Sequence, residues 1–546
     1  MTAAPLLIHH LLQRRNDAMP IIINSIFSAP GTAAEEVIEK ALSLVGLNVK
    51  DTVKAAVFKS SLDARKRNDI HFVHSVYAEL ADSSQEEALC SRYASVNYAV
   101  ECKVEPIYGS ERPDGRIYVA GFGPAGMFCA LLLAENGYRP IVLERGGDVD
   151  SRVAAVNKYW QGGKLDTNCN VQFGEGGAGT FSDGKLTTRI KDPLCRYVLE
   201  RFVSFGAPED ILTKAKPHIG TDRLRSIVKN IRRQIIELGG EIRFNTCLND
   251  IIPAGGRICA LKAGEQTLGC AALVLATGHS ARDTFEMLGE RNVFLEPKPF
   301  SVGVRIEHKQ SDVDESLYGS YAGDPLLPKG EYQLSAKSHE SRAVYTFCMC
   351  PGGTVVPAAS EEGTVVTNGM SEYARDGVNA NAAVAVAVSP ADFGSSPLGG
   401  MYFARDIEKR AFALTDGVRA PAVSVGGFLK GEAKLSDKIV PTYARGVQAC
   451  SFTSLFPDFI TRTLEYGLHD FARKMKCFKN EDALLTGPET RTSSPVRVTR
   501  GSRMNSLSFD NLFPCGEGAG YAGGIMSAAV DGLHTALEIM SRFSPE

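Results

Sequence analysis

The sequence predicts an α/β protein with three parts: a Rossmann-like three-layer nucleotide-binding domain, an inserted mixed α+β cap domain, and an N-terminal ferredoxin-like α+β domain. Three observations carry this. Residues 116–145 read strand, GxGxxG, helix, strand, acid. Residues 19–105 read β-α-β-β-α-β, the order of a split βαβ unit. Residues 291–485 lack nucleotide motifs and separate the first glycine-rich unit from a second one that leads into a terminal amphipathic helix. The boundaries drawn are an extension at 1–18, the ferredoxin-like domain at 19–105, the nucleotide-binding domain at 106–290, the cap at 291–485, and the C-terminal part of the nucleotide-binding domain at 486–546. A chain of 546 residues suits three or four domain-sized units.

The unit at 116–145 is the most informative. An apolar strand at 117–120 runs into Gly121-Phe-Gly-Pro-Ala-Gly126. Gly121 makes the tight turn, Gly123 lets backbone approach a pyrophosphate, and Gly126 lets the helix pack on the strand. Pro124 suits the first helical turn, whose free N–H groups attract phosphate. Glu144 stands eighteen residues after Gly126, at the end of the next strand, where it can accept from a ribose diol.

In the small domain, strands are expected at 21–27, 53–58, 70–80 and 98–104, with helices after Thr32 and at 85–92. Residues 106–115 read as a linker. Met19 could serve as an alternative start. Beyond Glu144 come a helix at 150–159, a Gly-dense loop at 162–184, helices within 192–238 with Ile227, Ile231, Ile235 and Ile236 on one face, and strands at 241–245, 257–261 and 268–275. The last of these ends in Ala276-Thr-Gly278.

Composition narrows the class. With 44% hydrophobic and 23% charged residues, the chain has the balance of an ordinary soluble globular protein. A net charge of −3 argues against a generally basic nucleic-acid surface. No apolar run is long enough for a transmembrane helix, and the N-terminal order of residues is wrong for a signal peptide. Thirteen scattered cysteines fit reduced thiols in a cytoplasmic setting. Their spacing, and that of the histidines, suggests neither zinc nor an iron–sulfur cluster.

Four separated segments fit one pattern: 121–144, the strand-and-turn Leu273-Val-Leu-Ala-Thr-Gly278, the loop Asn170-Val-Gln-Phe-Gly-Glu-Gly-Gly-Ala-Gly-Thr-Phe-Ser-Asp-Gly-Lys185, and Leu512-Phe-Pro-Cys-Gly-Glu-Gly-Ala-Gly-Tyr-Ala-Gly-Gly524. This set resembles the FAD-binding domain of two-dinucleotide-fold flavoproteins. GEGGAGTFSDGKL, KPFSVGVRIEH, CMCPGGTVVPAASE and LFPCGEGAGYAGGIMSAAVDG further resemble a large bacterial family of uncharacterised FAD-dependent dehydrogenases, from about residue 20 to the C-terminus. The Gly-rich C-terminal segment is also similar to that of tRNA-modifying flavoproteins. The resemblance implies FAD contacts from Gly121, Gly123, Pro124, Ala125, Gly126, Glu144 and Arg145, and from Gly176, Gly177, Thr180 and Ser182. It implies others from Ala276, Thr277, Gly278 and Arg282, and from Gly516, Glu517, Gly520, Gly523, Gly524 and Ile525. Glu517 stands where the usual residue is Asp.

Gly174-Glu-Gly-Gly-Ala-Gly179 also spells GxGxxG, but it leads into a turn rather than a helix, so it reads as a bare loop near the flavin. With no second strand–GxGxxG–helix unit, NAD(P)H would act only as a transient donor. Lys185, His279 and Arg305 are the catalytic candidates. Lys185 would stabilise a reduced flavin, or else sit on a solvated turn. His279 comes directly after the Ala276–Gly278 turn and is otherwise structural, while Arg282 could pair with pyrophosphate. Lys298 and Arg305 could hold an anionic substrate or form a surface salt bridge, and Arg491 could face the same cleft. Cys348 and Cys350 are too close in sequence for an easy disulfide and read as strand thiols. The basic run Lys59, Arg65, Lys66, Arg67 could touch an acidic partner or be simply a solvated face.

The expectation is therefore a cytoplasmic FAD-dependent oxidoreductase acting on a small organic molecule, with no membrane and no metal. An RNA-modifying flavoprotein and a non-enzymatic flavin-bearing sensor are the alternatives. Oligomeric state is open.

Overall fold

The computed structural model describes residues 19–99, 104–338 and 341–545, and the expected extension at 1–18 lies outside them. The chain divides into two compact units.

The smaller unit is the ferredoxin-like domain. Its sheet runs Thr52–Asp63, His71–Leu80, Ile21–Ser28, Val96–Tyr98, with every neighbouring pair antiparallel. His71–Leu80 thus lies between the two strands joined by the helix Ala34–Leu44, as a split βαβ requires. Alternation explains the core. Ile21, Ile23, Val76, Ala78 and Leu80 point to the same face and bury against Val37, Ala41, Leu42 and Leu89 of the two helices. The fourth strand is Val96–Tyr98; residues 100–103 of the strand expected at 98–104 lie outside the described ones. The domain boundary also needs correction. Residues 209–217 and 324–328, assigned from sequence to the other domains, belong to this unit. The backbone of 213–215 adds to its edge through Ser60, using strand N–H and C=O groups that would otherwise lack partners. In the basic run, Arg65 is solvent-exposed and tied to Asp63.

The larger unit holds the nucleotide-binding domain and the cap. Five strands, Glu241–Arg243, Ile141–Leu143, Arg116–Ala120, the second half of Gln266–Leu275 and Leu512–Pro514, lie parallel in that order. One face carries the helix Pro124–Glu135, buried along ten successive residues between the sheet and the terminal helix Ile525–Arg542. Its lack of a polar face explains why it shows no amphipathic period. The opposite face is covered by Leu248–Ala254, Arg257–Ala263 and the helix Arg282–Glu290, through Ile251, Ile258, Leu261, Phe285 and Leu288. These are the three layers.

The cap is built on a seven-stranded sheet centred on two ten-residue strands, Phe300–Lys309 and Asn379–Val388, paired in unbroken register. Its helices Gly399–Leu414 and Asp458–Lys474 contribute Ala404, Ile407, Ile460, Leu464 and Phe471 to one large core. The insertion boundaries shift as well. Leu484–Glu489 is a cap strand, and a ribbon of Leu295–Pro297 with Val496–Val498 marks where the chain enters and leaves the cap.

Candidate functional site

Between the parallel sheet and the cap lies a partly open cavity, lined on one side by the turn at Gly121 and by Glu144 and on the other by cap residues. One wall is the first strand–helix turn. Gly121 has φ +101°, and a Cβ there would collide with the carbonyl of Ala276. Gly123, Pro124 and Ala125 continue the wall to the helix start, where backbone N–H groups lack intrahelical acceptors.

Glu144 is 4% exposed and its carboxylate lines the cavity. It accepts the N–H groups of Phe122 (2.8 Å), Gly146 (2.9 Å) and Gly174 (2.9 Å). A carboxylate has about four acceptor positions, so one remains for a hydroxyl in the cavity. Arg145 beside it pairs with Asp283 and lies 4.4 Å over the Phe173 ring. This is the chemistry the ADP half of FAD requires: a turn without side chains for the pyrophosphate and a ribose acceptor held by backbone. The residues present fit the group.

The loop 170–184 is held by a residue that sequence reading passed over. Arg152 is fully buried and donates to the carbonyl oxygens of Asn170 (2.8 Å), Val171 (2.9 Å), Glu175 (2.7 Å) and Gly177 (2.8 Å). Burial lowers its pKa to about 10, which leaves it charged at neutral pH. The loop thereby presents Gly177, Ser182 and Lys185 to the cavity. Asp183 is fixed by Arg375 and Ser371 of the cap. Lys185 is half-buried and pairs with Glu331 at 3.0 Å.

Ala276, Thr277, Gly278 and His279 line the cavity, as do Glu517, Gly523, Gly524 and Ile525 at the start of the terminal helix. His279 is pushed down to about 3, chiefly by burial and then by Arg491 and Arg282, so the ring is neutral at pH 7. Glu517 is raised to about 7 by the dry surroundings, with Lys298 opposing. Lys298 stands next to this segment and does not line the cavity.

Several expected contacts are placed elsewhere. Gly126 packs the helix onto Val119 and Gly121. Gly176 donates to Phe122 O at 2.8 Å, and the Thr180 hydroxyl donates to Glu175 O. Gly516 donates to Asp531 at 2.7 Å, and Gly520 to Glu517 O at 3.0 Å, shaping the turn from behind. Arg282 does not reach the pyrophosphate turn. It is buried in a two-toothed pair with Glu408 (2.7 and 2.8 Å) and also pairs with Glu361. Arg305 does not face the cavity either. It is 0% exposed and donates to Glu489 (2.8 and 3.0 Å), Asn381, Asn368 and Cys348 O. A guanidinium with five donors buried in a cap sheet has to be saturated by its neighbours, and this one is.

The cap wall is made by Phe347–Cys350, Asn368, Gly369, Glu489, Arg491 and Thr492. The strand Ala343–Cys350 breaks register between Phe347 and Cys350, with Cys348 at φ +42°, and this bulge turns Cys348 outward. Cys348 keeps surface open to the cavity, yet the protein packed around both thiols desolvates them and raises them to about 12 and about 11, so neither is a thiolate at neutral pH. Sequence reading noted Arg491 but missed its partners Glu408 and Glu361, which lie far from it in the chain.

Residues 299–492 match the family described as FAD-dependent protein, C-terminal domain-like. An uncharacterized protein of Clostridium beijerinckii is 46% identical over 532 residues, covering 96% of this chain and 99% of the relative. Among solved structures, a glycine oxidase from Bacillus cereus superposes with a TM-score of 0.33 at 11% identity, covering 79% of this chain and 99% of that one. A geranylgeranyl bacteriochlorophyll reductase-like protein from Thermoplasma acidophilum gives 0.35 at 11% identity, covering 78% of each chain. The chain belongs to the family of the Clostridium beijerinckii protein, a family of uncharacterised FAD-dependent flavoproteins.

Proposed function

We propose that this flavoprotein is an oxidoreductase that moves hydride between a small organic substrate and FAD, with NAD(P)H serving at most as a transient donor. The observation that carries the reading is the cavity itself. One wall has the side-chain-free turn and the acid that suit a dinucleotide, and the facing cap wall sets apolar Phe347 and Met349 beside polar Asn368, Arg491 and Thr492. Bound FAD would supply hydride acceptance and donation at its ring. The chain's part is to bind, orient and exclude water. Glu144 and the Gly121–Gly126 turn would hold the ADP half. The loop braced by Arg152 and the start of the terminal helix would flank the ring. Lys185 would favour negative charge on the reduced ring, its effect moderated by Glu331. His279, held neutral, would offer a hydrogen bond rather than a charge.

A cytoplasmic location is part of the proposal. The twelve cysteines among the described residues are free thiols, and no described helix is long and apolar enough to cross a membrane. The test is anaerobic reduction of the purified yellow protein with NADH and NADPH, then exposure to candidate organic oxidants. Reversible flavin bleaching by one such pair supports the proposal. A bound flavin that no donor or substrate reduces would favour the sensor reading.

A further inference from the structure

We infer that Arg491 is the anion-recognising residue of the substrate compartment, and that the substrate presents a carboxylate to it; this rests on the cavity being a flavin site. Arg491 forms part of the cavity wall yet is only 7% exposed. Its Nε (2.9 Å) and Nη2 (3.1 Å) donate to Glu408. The third nitrogen, Nη1, is buried without a hydrogen-bond partner among the described residues. Glu408 has nothing left to give it, because it also accepts two bonds from Arg282 and one from Thr490 (2.6 Å). The ion pair therefore fixes the guanidinium and leaves one donor group unspent. A buried unmet donor of this kind needs an acceptor, and planar anionic oxygens match a guanidinium best.

The other charges of the wall sharpen the assignment. Arg145 is matched by Asp283 and Lys185 by Glu331. Asp183 is matched by Arg375, Glu489 by Arg305, and Glu144 by three backbone donors. An incoming anion would meet no unmatched carboxylate in this part of the wall, and Glu517 takes up a proton near neutrality. Anionic oxygens could also come from FAD's own phosphates, so the experiment must separate the two sources.

The FAD-bound protein should be titrated with acetate, pyruvate and benzoate, and with acetamide and benzamide as neutral counterparts, with perturbation of the flavin absorption as the readout. At least one carboxylate should give a saturable change that its amide does not. Arg491→Gln should weaken that carboxylate about ten- to a hundred-fold, the loss expected for one charged hydrogen bond, with FAD content unchanged. Arg491→Lys, which keeps a charge beside Glu408, should fold normally and fall in between. Equal response to acids and amides, or undiminished carboxylate binding in both variants, overturns the inference. So does loss of FAD in folded Arg491→Lys, which would hand Nη1 to the cofactor's phosphate. A wild-type protein that holds no FAD overturns the flavin reading as well; the other outcomes overturn this one alone.

Discussion

Two glycines of the same turn should fail in different ways when given a methyl group. Gly126→Ala places a Cβ against the carbonyl of Gly121 and 3.1 Å from Val119 Cγ1. Neither can retreat, since both belong to the central strand and its turn. The helix must lift, at a cost of about 1–3 kcal/mol whether or not ligand is present. Gly123 differs. It caps the helix in extended backbone, φ −81° and ψ −176°, which alanine also adopts. A Cβ there would meet only Gly177 Cα, at 3.6 Å, an ordinary contact. Losing glycine's freedom in the unfolded chain stabilises by about 0.4–1 kcal/mol, and a poorer N-cap offsets a similar amount. FAD-free Gly123→Ala should therefore melt near wild type. The new methyl instead occupies the approach to the pyrophosphate. In wild type, FAD at a hundred-fold excess over Kd adds about 2.7 kcal/mol, seen as a rise in melting temperature. Gly123→Ala should lose much of that rise and Gly123→Val all of it. Thermal melts with and without FAD, together with flavin content on purification, decide the matter. A Gly123→Ala protein that keeps the full rise would refute the reasoning. So would one whose FAD-free form is destabilised as much as Gly126→Ala.

Arg305→Ala should cost about 3–5 kcal/mol by leaving Glu489 buried and uncompensated, so chemical denaturation rather than KM will report it. His308 is 0% exposed against Phe478 and Tyr332, and neither ring nitrogen has a hydrogen-bond partner among the described residues. Burial holds its pKa near 3, so the unfolded chain binds the extra proton first and stability declines as pH falls from 6.5 to 3. His308→Leu should remove that contribution and stabilise at neutral pH by about 1 kcal/mol, measured by urea denaturation at several pH values. Glu517 has the opposite sign. Its folded pKa of about 7 lies above the ordinary 4.5, so FAD-free protein should lose stability as pH rises through that window and then level off. Glu517→Gln should flatten the profile. Changing Cys348 and Cys350 together to serine should leave flavin content and anaerobic reduction intact, because both are protonated thiols; loss of reduction would make them a relay.

The nucleotide turn, the acid at the end of the next strand and the split βαβ order were legible in the sequence because each is local. Gly121, Gly123 and Glu144 act through backbone geometry set within thirty residues, and period-two burial places Ile21 and Ile23 without knowledge of their partners. The glycine density of 174–179 and 516–524 likewise marked segments that come to the cavity, although Gly176, Gly516 and Gly520 support it from behind. The fates of the charged side chains were decided only in three dimensions. Arg152, Arg282, Arg305 and Arg491 are indistinguishable in sequence from solvated arginines. What separates them is the acceptor each meets: loop carbonyls for Arg152, Glu408 for Arg282 and Arg491, and Glu489 for Arg305. Those acceptors lie from 18 to 184 residues away, and burial makes the pairing obligatory. Local sequence thus determines where backbone can approach a ligand, while the tertiary fold decides which charges are spent on the protein and which remain for a substrate.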